Sequence, residues 1–510
     1  MPNPHQEKQL TPNDGEELTD TRPSYFNTRK TLIFGLLVAI LLGIWAVNRR
    51  EENSELTDNN SKTFVERWRD QNQNQEDPEV EQRISSGEEI LIGADNNPNK
   101  QLAAQKFAAN EFKEAQIEFA NSLAANPNDP EALIYLNNSL AATELKSLKI
   151  GVSVPIGGSL NVAKEILRGV AQAQNEVNKK GGIEQDGRKR LVRVEIANDN
   201  NDPETVKQIA THFVADPEIE AVIGHNSSDA SLAGAPIYQE GNLPMISPTS
   251  VARELSQAGS YIFRTTPSSR VLAETMAKYA VAVRRPKVAV CFDSGNSAST
   301  SFKEDFSLSL YELGGEISST NCDFASEDFN SDEIPGKAIA DGSEALLLIP
   351  SVNKIAQALE VAKANQNHLP LLGNDSMYTY ETLKVGQSDV NGLVLPAAWH
   401  PDITANPAFN QNARELWGME GSWRTATSYD ATKAVLTALS TASTRQELQQ
   451  TLTNSGFVIR GASGKVAFLR SGDRQIGQAF LIKVQPGKSS GTKYDFAPIK
   501  NTLSVEDSRK

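Results

Sequence analysis

Cysteine, histidine and aromatic side chains are scarce in this chain, and the scarcity narrows its chemistry. Two cysteines, Cys291 and Cys322, and five histidines are spread over 510 residues. Neither type falls at the short spacings that metal sites need, so no metal ligand is assigned. A His-Glu-x-x-His helix and a Walker-type Gly-rich loop are both missing. That argues against an enzyme, and neither a catalytic residue nor a cofactor is expected. The cysteines read as buried or unpaired thiols, with one disulfide as the alternative in an oxidising compartment. Basic residues are outnumbered, 50 Lys+Arg against 64 Asp+Glu, for a net charge of −14. No basic block interleaves with aromatics, so nucleic acid is not an expected partner.

What is present has a clear order along the chain. Residues 1–30 are polar and rich in turn formers, and read as a disordered arm. Residues 31–47 are uncharged and apolar, with Arg29-Lys30 before and Arg49-Arg50 after. The run is just long enough to span a bilayer. A cleaved signal peptide is the competing reading, but its apolar core would be shorter and a small-residue cleavage site would follow. The run is therefore expected to be an uncleaved signal anchor, giving membrane attachment through one helix. Residues 48–97, dominated by a polar and charged stretch, read as a disordered linker.

Residues 98–146 carry helical periodicity. Phe112, Ala115 and Phe119, followed by Asn126-Pro127-Asn128-Asp129-Pro130, resemble a tetratricopeptide repeat. Leu133, Leu136 and Leu140 suit the start of a second unit. One and a half units are too few for a solenoid, so the segment is either a protein-docking element or a helical hairpin that packs on the next domain or acts as a spacer.

From Leu148 the pattern becomes strand, turn, helix, repeated. Lys149–Pro155, Leu191–Ile196, Glu220–Gly224 and Pro244–Ser247 read as strands of one parallel sheet with right-handed crossovers. Lys287–Asp293, Glu344–Pro350, Pro370–Asp375 and Gly392–Pro396 read as a second such set. The fold class is α/β: two parallel-sheet lobes in series, 148–267 with 395–455 and 268–394 with 456–485, then a tail, 486–510. In open parallel sheets, ligands bind outside the carboxyl ends of the strands. In the first lobe those ends carry Ser227-Ser228 and Thr249-Ser250-Val251. Ser227 and Ser228 also stand where a helix begins, a place that favours a small anion. The alternative for each serine is an N-cap or a turn former.

The ordered motifs resemble the type I periplasmic binding proteins, in their branched-chain amino-acid/amide receptor branch. They are Pro155 with Gly157-Gly158, Glu176-Val177-Asn178 with Gly181-Gly182-Ile183, Val222-Ile223-Gly224 with Ser227-Ser228, and Ile246-Ser247-Pro248. Then follow Phe263-Arg264-Thr265, Gly373-Asn374-Asp375, Tyr429-Asp430-Ala431 and Gly461–Phe468. The resemblance implies a two-lobed solute receptor, outside the cytoplasm, that shuts on a small polar metabolite such as an amino acid. Its expected partners are an ABC importer permease or a signalling protein. It implies that Ser228 and the turn Thr249–Val251 hold the ligand carboxylate, and that Asp375 receives the ammonium from the second lobe. Val251 stands where the family has a threonine, and Ser297 where it has a tyrosine; two further aromatics are replaced near Val162 and near Pro350-Ser351. A helical-repeat segment before such a fold also resembles regulators of cell-envelope enzymes, a non-transport alternative.

Overall fold

The strands of the first sheet are apolar on both faces, as a central parallel sheet requires. In Leu148–Val154 every residue but Lys149 is buried. Its register runs from Leu148 opposite Val192 to Val154 opposite Asn198 on one side, and it pairs with Ile219–Ile223 on the other. Met245–Ser247 and Ile262–Arg264 continue the sheet in parallel on that side. The second sheet runs in the order Glu316–Ile317, Lys287–Phe292, Ala345–Ile349, Leu371–Gly373, Val394–Ala397, Phe480–Pro486 and Tyr494–Pro498. Its first five strands are parallel; Phe480–Pro486 runs antiparallel to Val394–Ala397, and Tyr494–Pro498 antiparallel to Phe480–Pro486. The α/β class and the two sheets agree with the expectation from the sequence.

The computed structural model describes residues 78–499, except 145, 186, 404, 476 and 478. All of these lie in one compact unit, Thr63–Lys510. The expected arm (1–30), anchor (31–47) and first part of the linker lie outside the described residues. No helix among the described residues is long and apolar enough to cross a membrane.

Four expected boundaries move. The linker does not extend to residue 97: Ile84–Ser85 pairs antiparallel with Val192–Asn198, adding a sixth strand to the first sheet. The hairpin Ile459–Gly461 and Gly464–Val466 stays with the first lobe, because Ile459, Val466 and Phe468 are buried in that lobe's core. The last crossing therefore comes after the hairpin, not at 456. Strand Val394–Ala397 belongs to the second sheet, so the preceding crossing starts after Ala397. Part of the expected tail is a strand, Tyr494–Pro498, paired with Phe480–Pro486.

The segment 98–146 forms three helices, Pro98–Ala108, Phe112–Ala125 and Pro130–Ala142. It is docked rather than free. Asn138 donates to the Val194 carbonyl (2.7 Å) and accepts from the Val194 N–H (2.8 Å), pairing with a strand's backbone. Lys100, fully buried, lies 2.7 Å from both Asp129 and Glu131. Glu131 in turn accepts the Leu91 N–H at 2.7 Å. A buried charge is tolerated when it is paired and hydrogen-bonded in this way. The helices thus pack on the first lobe, the second of the two arrangements expected.

The helix Trp423–Ala438 lies along Leu160–Lys179, close enough that a Cβ on Gly169 would collide with Ser428 and with the Thr425 carbonyl. At its far side Asp430, wholly buried, accepts the Ala462 N–H (2.5 Å) and the Ser463 N–H (3.2 Å). Burial raises its pKa, opposed by Arg474. The Tyr429-Asp430-Ala431 and Gly461–Phe468 motifs are thereby explained as a clamp between this helix and the hairpin.

Candidate functional site

A cavity of about 390 Å³ lies between the two lobes, walled by strand-end turns of both sheets. From the first lobe come Asn201, Asn226, Ser227, Ser228, Asp229, Thr249 and Val251; Trp423 and Arg424 join them from the start of their helix. From the second come Asp293, Gly295, Asn296, Ala298, Ala325, Ser351–Lys354, Asp375 and Ser376.

The first-lobe turn is held from behind. Gly224, just past strand Ile219–Ile223, has φ +145°, and a Cβ there would meet the Ser153 carbonyl at 2.7 Å. His225 follows with its ring buried between Asp199 (2.7 Å) and the Tyr238 hydroxyl (3.0 Å). Its carbonyl accepts from the Ser247 hydroxyl at 2.7 Å. This pinning leaves Asn226, Ser227 and Ser228 at the cavity. Ser227 caps the helix Ser228–Glu240, accepting the Ala230 N–H. Ser228 is the first residue of that helix, where N–H groups and the helix dipole favour negative charge.

The Ser228 oxygen accepts the N–H groups of both Val251 and Ala252, each at 3.1 Å. A hydroxyl has two acceptor sites and one proton, so what remains is the capacity to donate. The same two residues are fixed through their carbonyls, which accept from Arg264 at 2.9 and 2.7 Å. Arg264, 2% exposed, is paired with Asp473 at 2.5 Å. The Phe263-Arg264-Thr265 motif therefore orients Ser228, from the point where the chain crosses between lobes.

Five of the seven expected contact residues line the cavity together: Ser227, Ser228, Thr249, Val251 and Asp375. Two do not. Ser250 bonds to the Ser231 hydroxyl (2.8 Å) and the His225 carbonyl (3.3 Å), inside the lobe. Ser297 keeps its hydroxyl out of the lining, and its N–H is held by Asp229 at 3.1 Å. Thr249 lines the cavity but donates its hydroxyl to the Asn226 carbonyl at 2.7 Å.

Asp375 is 6% exposed, and its Oδ1 has no hydrogen-bond partner among the described residues. Burial drives its pKa up to about 6, against the pull of the nearby Arg424 charge. Arg424, 2% exposed, bonds Glu165 at 3.2 Å and the Tyr378 carbonyl at 3.3 Å. Its guanidinium carbon lies 4.4 Å from the centre of the Trp423 ring, within cation–π range.

Trp423 is the wall aromatic that sequence reading did not find. Its indole N–H donates to the Tyr378 carbonyl (3.3 Å), which joins the Trp423 helix to the second lobe. Its sequence signal is an aromatic–cation pair just after Ser422, which caps the helix. Asn201 was also missed; it belongs to a polar run that reads as a solvated turn. A second tie crosses the cleft: Asp229 accepts from the Asn296 side chain (2.6 Å) and from the Ser297 N–H. One lobe's carboxylate thus sits on the N-terminus of the other's helix, where the dipole favours it.

Cys291 and Cys322, the latter beside a short bridge between Phe292 and Asp323, form a disulfide. The expectation of unpaired thiols gives way to its alternative, because their separation of 31 residues hid a Cα–Cα distance of 4.5 Å.

The periplasmic binding protein family model matches residues 147–492, more than half of the chain. The Leu/Ile/Val-binding protein of Citrobacter freundii is 32% identical over 163 residues, 31% of this chain and 42% of that protein. The leucine-specific-binding protein of Salmonella typhimurium is 36% identical over 127 residues, 24% of this chain and 33% of that protein. The chain thus matches well under half the length of these relatives. Among solved structures, a leucine binding protein from Thermotoga maritima has a TM-score of 0.60 at 22% identity, covering 69% of this chain and 98% of its own. A branched-chain amino acid transporter substrate binding protein from Streptococcus pneumoniae, in complex with isoleucine, has a TM-score of 0.61 at 20% identity, covering 69% and 100%. At these identities the structures speak for the fold alone, and the family match carries the assignment: the chain belongs to the periplasmic binding protein family.

Proposed function

We propose that this chain is an extracytoplasmic receptor that closes on an α-amino acid or a close relative, without chemistry on it. The observation that carries the reading is the meeting of Ser228 and Asp375, from opposite lobes, on one cavity. The ligand carboxylate accepts hydrogen bonds from the Ser228 hydroxyl and from N–H groups at the start of the Ser228 helix. The ammonium pairs with Asp375. Charge-assisted bonds of this kind contribute about 1.5–3 kcal/mol each. They require both lobes at once, so ligand favours the closed arrangement. The names of the relatives, which are amino-acid-binding proteins, support the same reading.

Residues 31–47 anchor the receptor in the membrane with its main unit outside the cytoplasm. The disulfide suits an oxidising compartment. An ABC-type permease or a signalling protein receives the closed form. The docked helices before residue 148 serve as part of the receptor body. The test is thermal unfolding of the full-length chain with each of the twenty amino acids, backed by mass spectrometry for a co-purified metabolite. A ligand at a hundred times its Kd stabilises by about 2.7 kcal/mol. Ser228→Ala and Asp375→Ala are expected to abolish the shift. If no amino acid or related metabolite stabilises the wild type, the proposal fails.

A further inference from the structure

We infer that the side chain of the bound amino acid is uncharged and polar, offering both a donor and an acceptor in the manner of a carboxamide, and that leucine, isoleucine and valine are excluded. The inference rests on the receptor reading above and adds the class of side chain.

Five charged side chains line the cavity: Asp229, Asp293, Lys354, Asp375 and Arg424. Three are committed. Asp229 is occupied by Asn296 and the Ser297 N–H, Arg424 by Glu165 and the Tyr378 carbonyl, and Asp375 takes the ligand ammonium. Asp293 and Lys354 are left. Asp293 is 5% exposed, and among the described residues its carboxylate accepts only the Gly295 N–H of its own turn, at 3.2 Å. The Lys354 ammonium has no ion pair or hydrogen bond among the described residues. The two follow neighbouring strands: Asp293 comes directly after Lys287–Phe292, and Lys354 ends the short turn after Ala345–Ile349, which pairs with it. Asp375 follows the next strand, Leu371–Gly373. The wall therefore carries Asp293, Lys354 and Asp375, each from the segment that follows one of three adjacent strands.

A branched aliphatic group seated on the first two would remove water from a carboxylate and an ammonium and replace none of its bonds. A carboxylate side chain would satisfy Lys354 and repel Asp293; an ammonium would do the reverse. A carboxamide gives its N–H to Asp293 and its carbonyl to Lys354 with no net charge. Sites built on hydrogen bonds discriminate strongly against analogues that lack the bonding group.

The experiment is isothermal titration of the full-length chain with glutamine, asparagine, glutamate, lysine, leucine, isoleucine and glycine. Glutamine or asparagine is expected to bind about 100-fold or more tighter than leucine. Lys354→Met is expected to lower that ratio about tenfold. Leucine or isoleucine binding as tightly as glutamine overturns this inference and leaves the receptor reading standing. So does a preference for glutamate or for lysine. An absence of heat with every one of them, together with no stabilisation by any other amino acid, overturns the receptor reading and this inference with it.

Discussion

Replacing Asp375 by asparagine should make the ligand-free protein more stable while disabling it. Asparagine has the shape of the protonated acid and no charge to desolvate. Burial raises the Asp375 pKa from 3.8 to about 6, net of the opposing attraction of Arg424. Two units correspond to about 3 kcal/mol. The sign follows from proton binding. The folded state holds this proton more tightly than the unfolded state, so stability falls as pH rises from about 4 and levels off above about 6. At pH 8 the wild type carries the whole penalty, and Asp375→Asn carries none. The variant should then be about 3 kcal/mol more stable, or about 3 °C higher in Tm for a unit of this length. At pH 4 the two proteins should coincide. The assay is thermal unfolding at pH 4, 5, 6, 7 and 8, without and with an amino-acid ligand; the ligand should stabilise only the wild type. A variant less stable at pH 8, or equally shifted at pH 4 and pH 8, would refute the argument.

Asp229→Ala removes the cross-cleft tie to Asn296 and Ser297. Small-angle scattering of the ligand-free chain should show a larger radius of gyration, and affinity for every ligand should fall by a similar factor of about ten, because fewer molecules are closed. Arg264→Lys keeps the charge but loses the fork that holds the Val251 and Ala252 carbonyls. It should cost about 1–3 kcal/mol in urea unfolding and weaken ligand binding measured by titration, although Arg264 lines no part of the cavity. Reducing the Cys291–Cys322 bond should lower stability by about 4 kcal/mol for a separation of 31 residues, with the urea midpoint as readout.

The parts of the site that could be read from sequence are those set by sheet geometry. A turn at the carboxyl end of a parallel strand faces the ligand wherever the strand sits, which is why Ser228 could be named; the roles of Thr249 and Asp375 came from the family resemblance. Hydroxyls cannot be sorted that way. Ser228 and Ser250 look alike in the chain, yet Ser250 is spent on Ser231 and the His225 carbonyl. Trp423 and Arg424 reach the cavity only because the chain recrosses between lobes before their helix, a tertiary fact that the aromatic–cation pair after Ser422 does not by itself reveal. Asp229 and Asn296 read as ordinary helix-start residues until their partners are known to come from opposite lobes. The strand Ile84–Ser85 lies in a stretch whose polar composition argues for a linker, and two residues carry no periodicity to say otherwise.

That short strand has a consequence for how the chain can be cut. Val192–Asn198 would be the outer strand of its sheet without Ile84–Ser85 beside it, and the Arg83 carbonyl also takes the Asn198 N–H at 2.9 Å. An outer strand with open backbone donors and acceptors is a template for pairing with another chain. A fragment beginning at the first long helix, near residue 98, would keep the cavity, both sheets and the disulfide. It would bare the backbone only at the end of that strand, near Ile196 and Asn198, because Asn178 and Asn138 still cap the N–H and carbonyl groups of Val192 and Val194.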